Sequence, residues 1–383
     1  MHWHRLLLLG MVCTTTYSQA AELSVSGYGS IVGGRAISGD GYWARMPEAA
    51  GQYGRGLELK TESRFGVQGT YEVDNNLDFI GQVIARGMND FSPRVTWLYG
   101  SLNLSSERQF KVGRLRLPVY HFSDVMDVGV AYPWLRVPAD AYSLAVTDFD
   151  GMMLTQRRNW SFGVAKFSFY VGQRDTEPND LLTAIEKYKN EQRFDVEGKF
   201  IGFGDIRTTK FYRDMRGLVL ENSMEWLTVR FSYLKGRENF SYFDSISTVE
   251  KLRFGNNWTE TRFLDGSFQV DFNNWLLMAE WNYYRTIYKS WFTSVAYTIE
   301  HWTPYVYFSG FKGAQSGQGN PSWIDDHYQS LGIGTRHDLT PRIALKVEVT
   351  RFSDIGESPV FIDRDNDGDT DATAIALSLD FSF

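Results

Sequence analysis

The densest candidate chemistry lies near the C-terminus, in Asp363-Arg364-Asp365-Asn366-Asp367-Gly368-Asp369-Thr370-Asp371. Carboxylates two residues apart converge on one centre, and Gly368 permits the sharp turn with which a loop wraps a calcium ion. The position where a helical calcium hand places its closing bidentate Glu is Ala374. The spacing therefore predicts a calcium site of Asp363, Asp365, Asp367, Asp369 (through its carbonyl) and Asp371, with the modest affinity of extracellular modules. The alternative is a solvated acidic loop. Catalytic signatures are missing: there is no H-E-x-x-H, no G-x-S-x-G and no P-loop. His121, His301, His327 and His337 are scattered, and Cys13 lies in a segment expected to be removed. The expectation is a protein that is not an enzyme and requires no cofactor.

A second group of charges lies in residues 117 to 148, which have no clear periodicity and are long for an ordered loop without a function. Val125, Met126, Val128, Tyr132, Trp134 and Leu135 make this stretch too apolar for a freely solvated loop. It must pack on something, and it brings Asp124, Asp127 and Asp140 with it.

The surrounding elements are read from composition and period. Of 383 residues, 16% are aromatic and 35 are Gly against 10 Pro, which favours many strands joined by tight turns. A net charge of −7 makes a broad nucleic-acid surface improbable. Met1 to Arg5 is basic, Leu6 to Val12 is apolar, and Ser18-Gln19-Ala20 places small residues before a cleavage site. Residues 1–20 are thus expected to be a signal peptide, and 21–383 the folded domain.

Apolar and polar residues alternate throughout. Ile375, Leu377, Leu379, Phe381 and Phe383 oppose Ala374, Ala376, Ser378, Asp380 and Ser382, which fits a strand and no helix. Phe65, Val67 and Tyr71 oppose Arg64, Gln68 and Thr70 in the same way. Runs of about nine to twelve residues match a tilted strand crossing a bilayer. Short turns, such as Asp74 to Asn76, alternate with long loops, the arrangement of an outer-membrane barrel. The fold expected is all-β: a transmembrane antiparallel β-barrel of about 16–18 strands. Strands are expected to start at Gln192, Ile206 and Arg216 among others, and Trp97, Tyr99, Trp160 and Trp226 to belong to aromatic girdles. In such a barrel the wall available to residues 117 to 148 is the inner one. By strand parity Arg64, Arg86, Arg114, Arg116 and Arg230 are candidates to face the three aspartates, giving a transverse field across the pore. The alternative is that these charges form structural pairs.

The terminal strand ending in Phe383, the Val112-Gly113-Arg114 strand end and the long loop after the fifth strand resemble the porins of Gram-negative outer membranes, over essentially all of the mature sequence. The segments Gly113 to Pro118, Ser123-Asp124, Asp127-Val128-Gly129 and Ala131 to Arg136 look like a subgroup of marine and environmental porins. The resemblance implies a trimer in outer-membrane lipid and lipopolysaccharide, a third external loop folded into the lumen, and Phe381 and Phe383 as the signal read by the barrel insertion machinery. It also implies passage of small hydrophilic solutes or ions. A barrel serving as adhesin or structural anchor and a barrel-rim hydrolase are the alternatives.

For the acidic loop the expected outcome is calcium-dependent protease protection of residues 353 to 372, lost on chelation and in Asp365→Asn/Asp367→Asn. Equal cleavage in every condition leaves only the solvated loop.

Overall fold

The computed structural model describes residues 22–38, 53–144, 146–176, 206–244, 252–253, 258–285, 287–313, 327–355 and 371–383. The first strands are β1 (Glu22–Ser38), β2 (Arg64–Glu72), β3 (Leu77–Arg86), β4 (Pro93–Ser105) and β5 (Arg108–Arg116). After a long segment come β6 (Asp148–Trp160), β7 (Gly163–Asp175), β8 (Ile206–Ser223), β9 (Leu227–Asp244) and the two-residue β10 (Leu252–Arg253). The remainder are β11 (Thr259–Phe272), β12 (Trp275–Tyr284), β13 (Tyr288–Tyr297), β14 (Trp302–Gly313), β15 (His327–Thr340), β16 (Ile343–Asp354) and β17 (Ala372–Ser382). Each long strand pairs antiparallel with its neighbours in the chain, and β11 pairs directly with β9. Because β1 pairs with both β2 and β17, the sheet closes into a barrel of sixteen long strands.

Alternation along each strand sorts side chains into two environments whose polarity is reversed from that of a water-soluble barrel. On β3, Phe79 and Val83 are exposed while Gln82 and Arg86 are buried. On β9, Val229 and Phe231 are exposed and Arg230 and Ser232 are buried; on β17, Leu377 is exposed and Ser378 and Asp380 are buried. Apolar rows thus face out and polar rows face in, as the period of two requires.

Two bulges correct the strand reading. Gln82 pairs with Trp97 but Val83 pairs with Val95, so Thr96 is an extra residue on β4. The extra residue reverses the parity beyond it. Val95 faces out, as do Leu98 and Leu102, leaving Trp97 and Tyr99 inside and not in a girdle. On β8 the register shifts between Arg213 and Arg216, with Asp214 at φ 52°. This break in alternation explains the expectation of separate strands at Ile206 and Arg216; they are one strand of 18 residues. The expected strand at Gln192 lies outside the described residues. Trp160, Trp226, Trp275 and Trp302 are exposed beside short turns at one end of the sheet.

The closure is held by backbone and ring together. Phe383 N donates to Gly27 O at 2.9 Å, and Gly27 N donates to Phe383 O at 3.0 Å. A Cβ on Gly27 would fall within the Phe383 ring, and one on Gly29 would meet the Phe381 ring. The glycines let both rings lie flat across β1. Deleting Phe383 removes two hydrogen bonds and one ring from the seam. The expected outcome is a lower yield of barrel with heat-modifiable mobility in gels; unchanged yield would show that the seam does not need it.

Candidate functional site

The segment between β5 and β6 starts where Leu115 to Leu117 become buried, and it contains two single turns of 3-10 helix, Ser123–Val125 and Gly129–Ala131. Its polar attachments run to inward rows of β2, β3, β9, β11, β12, β14 and β16. Asp127 is the principal one. Its carboxylate accepts from Arg86 Nη2 of β3 at 2.9 Å and from Arg116 Nη2 at 2.6 Å, while Arg64 Nε of β2 donates to the Asp127 carbonyl at 2.8 Å. Arg64 and Arg86 stand directly opposite each other on β2 and β3, like charges that repel without a shared anion. Burial by itself raises the Asp127 carboxyl; the Arg86, Arg116 and Arg64 charges outweigh it and hold the group well below the usual carboxylate range.

Further along, Lys346 Nζ of β16 donates to the carbonyls of Gly129 and Trp134, each at 2.6 Å, and pairs with Asp380 of β17 at 3.0 Å. Arg136 Nη1 reaches Glu62 at 2.8 Å, and Tyr305 and Tyr307 of β14 donate to Glu348 beside it. Ser309 Oγ donates to Asp140 at 2.6 Å, and Tyr142 Oη donates to Glu280 of β12 at 2.6 Å. Between these anchors Trp134 is fully buried, edge-on to Phe292 at 4.9 Å and to Phe122 at 5.4 Å. The apolar residues that set this segment apart in the sequence are packed against the β12–β17 wall.

Toward β4–β8 the segment stands away from the wall, leaving a cavity of about 300 Å³, while on β9 Ser232 Oγ donates to the Val119 carbonyl at 2.6 Å and Arg230 donates to the carbonyls of Pro118 and Val119. The segment contributes Pro118, Tyr120, His121, Ser123 and Asp124; the wall contributes Trp97, Tyr99, Gln109, Lys111, Arg157 and Lys166 among others. Burial keeps the His121 imidazole below its ordinary value despite Glu280, and its ring nitrogens lie 3.1 Å from Ser267 Oγ and 3.2 Å from Gln269 Oε1.

Of the charges expected to cross the pore, Arg116, Arg230 and Asp124 line this cavity. Arg64, Arg86 and Asp127 form the buried cluster instead, and Asp140 is spent on Ser309. Arg114 is a correction. It sits opposite Leu98 of β4 and Asp150 of β6, on the row of exposed Val112, and its Nε pairs with Asp150 at 2.9 Å. With its neighbours Leu98 and Val112 exposed and its Nη1 donating to the Val95 carbonyl, it is absent from the cavity lining that Arg116 reaches. Lys111 is the residue that was missed: it alternates with Phe110 and Val112 and therefore points in. Asp363, Asp365, Asp367 and Asp369 lie outside the described residues; Asp371 accepts from Arg351 at 3.1 Å and Ser353 at 3.2 Å.

No family model matches the chain, and no curated protein matches it. Solved structures do. An OmpF of Salmonella typhi in complex with daunomycin is 14% identical, with 94% of this chain and 97% of that chain covered and a TM-score of 0.59. An anion-selective porin from Comamonas acidovorans is 11% identical, with 95% and 100% covered and a TM-score of 0.55. The OmpT outer-membrane protein of Vibrio cholerae is 11% identical, with 96% and 99% covered and a TM-score of 0.52. At these identities the likeness is one of fold: a sixteen-stranded closed barrel of the kind found in outer-membrane porins.

Asp127→Asn leaves buried guanidinium groups short of an anion, a change that costs on the order of 3–5 kcal/mol. The expected outcome is faster proteolysis within residues 117–147 of a barrel that stays folded. A depressed carboxyl contributes stability that is complete above its unfolded value and lost as pH falls through its folded one. Protection of the wild-type segment should consequently persist at pH 4 and disappear only in stronger acid.

Proposed function

We propose that this protein is an outer-membrane porin, a water-filled channel for passive diffusion of small hydrophilic solutes or ions past the segment between β5 and β6. The observation that carries the reading is the reversed polarity of the closed sheet. Exposed rows such as Leu23, Val25 and Ile31 on β1 or Leu331 and Ile333 on β15 match a lipid boundary. The inner rows and the cavity beside Lys111 match a water-filled path. In this reading the strands cross the bilayer, export uses residues 1–20, and insertion uses Phe381 and Phe383. The mature chain is a trimer in lipid and lipopolysaccharide, with no catalytic role, no nucleic-acid partner and no required cofactor, and calcium orders the 363–371 loop. The likeness in fold to porins supports the location and the channel.

The dry packing of Trp134 against Phe292 favours a second reading, a barrel closed to ions that acts as a structural anchor. One measurement separates the two. Purified protein in planar bilayers is expected to give stepwise conductance, and shortening the segment between Ser123 and Asp140 is expected to raise it. A folded protein without steps is the anchor.

A further inference from the structure

The charges on the cavity are unbalanced. Lys111, Arg116, Arg157, Lys166 and Arg230 line it, against the two carboxylates of Asp124 and Glu221. Arg116 is bonded to Asp127, and Arg230 is shared between Asp265 at 3.2 Å and Glu221 at 3.6 Å. Lys166 reaches Glu221 only at 3.9 Å. Among the described residues, Lys111 and Arg157 make no ion pair with a carboxylate; Lys111 lies 5.3 Å above the Tyr99 ring.

Strand register fixes this arrangement independently of side-chain detail. Arg157 of β6 stands directly opposite Lys166 of β7, which stands opposite Glu221 of β8, which stands opposite Arg230 of β9. Two cations in direct cross-strand register destabilise a sheet unless something screens them. Lys111 is drawn toward Asp124 and repelled by both Lys166 and Arg157, so the three cations share one space. Thr155 and Ser168, a cross-strand pair on the same wall, are hydrogen-bonded to each other at 2.9 Å, which leaves one hydroxyl proton of the pair to donate into the cavity.

We infer that the cavity is a binding station for small oxyanions, a phosphate or a short dicarboxylate, held by Lys111, Arg157 and Lys166 with the Thr155 and Ser168 hydroxyl pair as a neutral donor. Ammonium and guanidinium groups grip carboxylate and phosphate oxygens by charge-assisted hydrogen bonds. The volume is that of a small-ligand site. The inference rests on the channel reading for its role in passage, and it names the solute class that the channel favours. It also runs against the chain's net charge of −7, so anion preference here cannot be a property of the molecule as a whole.

The test uses the full-length protein, wild type and Lys111→Glu/Arg157→Glu/Lys166→Glu, with heat-modifiable mobility as the check on folding. In bilayers under a potassium chloride gradient, wild type should give a reversal potential of the sign for anion preference, and the triple variant the opposite sign. Arg114→Ala, on the outer row, should leave the potential unchanged. Added succinate or inorganic phosphate should lower the chloride current of wild type and not that of the triple variant. A folded triple variant with unaltered sign and unaltered block overturns the station. Calorimetric titration of succinate and phosphate into detergent-solubilised protein decides the station without conductance: heat that saturates in wild type and is lost in the variant supports it, and none in wild type overturns it. Failure of the channel reading shows separately, as folded protein that does not conduct.

Discussion

Closure of the sheet is the constraint on which everything else rests. With β1 hydrogen-bonded to β2 on one side and β17 on the other, every long strand among the described residues is paired on both sides. Once backbone donors and acceptors are satisfied around the ring, the outward rows are free to be apolar and the inward rows must find polar partners for one another. Lys346 with Asp380, and Arg230 with Asp265, are such partners: buried, charged, and drawn from strands that become neighbours only when the sheet is formed.

The inner segment divides the lumen unevenly. On the β12–β17 side it meets tyrosines and phenylalanines that enclose Trp134; on the β4–β8 side it meets lysines, arginines and hydroxyls across open space. The side chains that hold the segment and those that line the path are thus largely different sets. Asp127 and its arginines determine where the segment sits, whereas Lys111, Arg157 and Lys166 set the field within the cavity. Burial separates the roles: a charge already neutralised at 2.6 Å has little left to offer a passing ion.

The barrel was legible in the sequence because a period of two survives along most strands, and the polarity of the faces could be read from runs such as Ile375 to Phe383. The inner segment was legible from its apolar content. What failed did so at identifiable places. A bulge at Thr96 reverses parity within β4, and another beside Asp214 breaks the pattern of β8; neither leaves a mark in residue type alone. Parity grouped Arg114 with Arg116, yet at the strand end only Arg116 reaches the cavity and Asp127, while Arg114 pairs with Asp150 beside exposed Leu98. The cluster on Asp127 joins positions tens of residues apart in sequence, which only cross-strand register brings together.

The segment touches the barrel on both flanks of β1. Arg64 on β2 holds it from one side, while Lys346 and Asp380, on β16 and β17, hold it from the other, and Gly129 lies so close to Asp380 and to Ser30 of β1 that any side chain there would strike them. Ser30 and Asp380 are partners in the β1–β17 register, so the approach of Gly129 to both exists only where the first and last strands meet. The seated segment thus clasps from within the one joint that the chain's own connectivity does not hold. An open sheet, with that joint unmade, lacks part of the surface on which the segment packs, so the seam and the filled interior support each other.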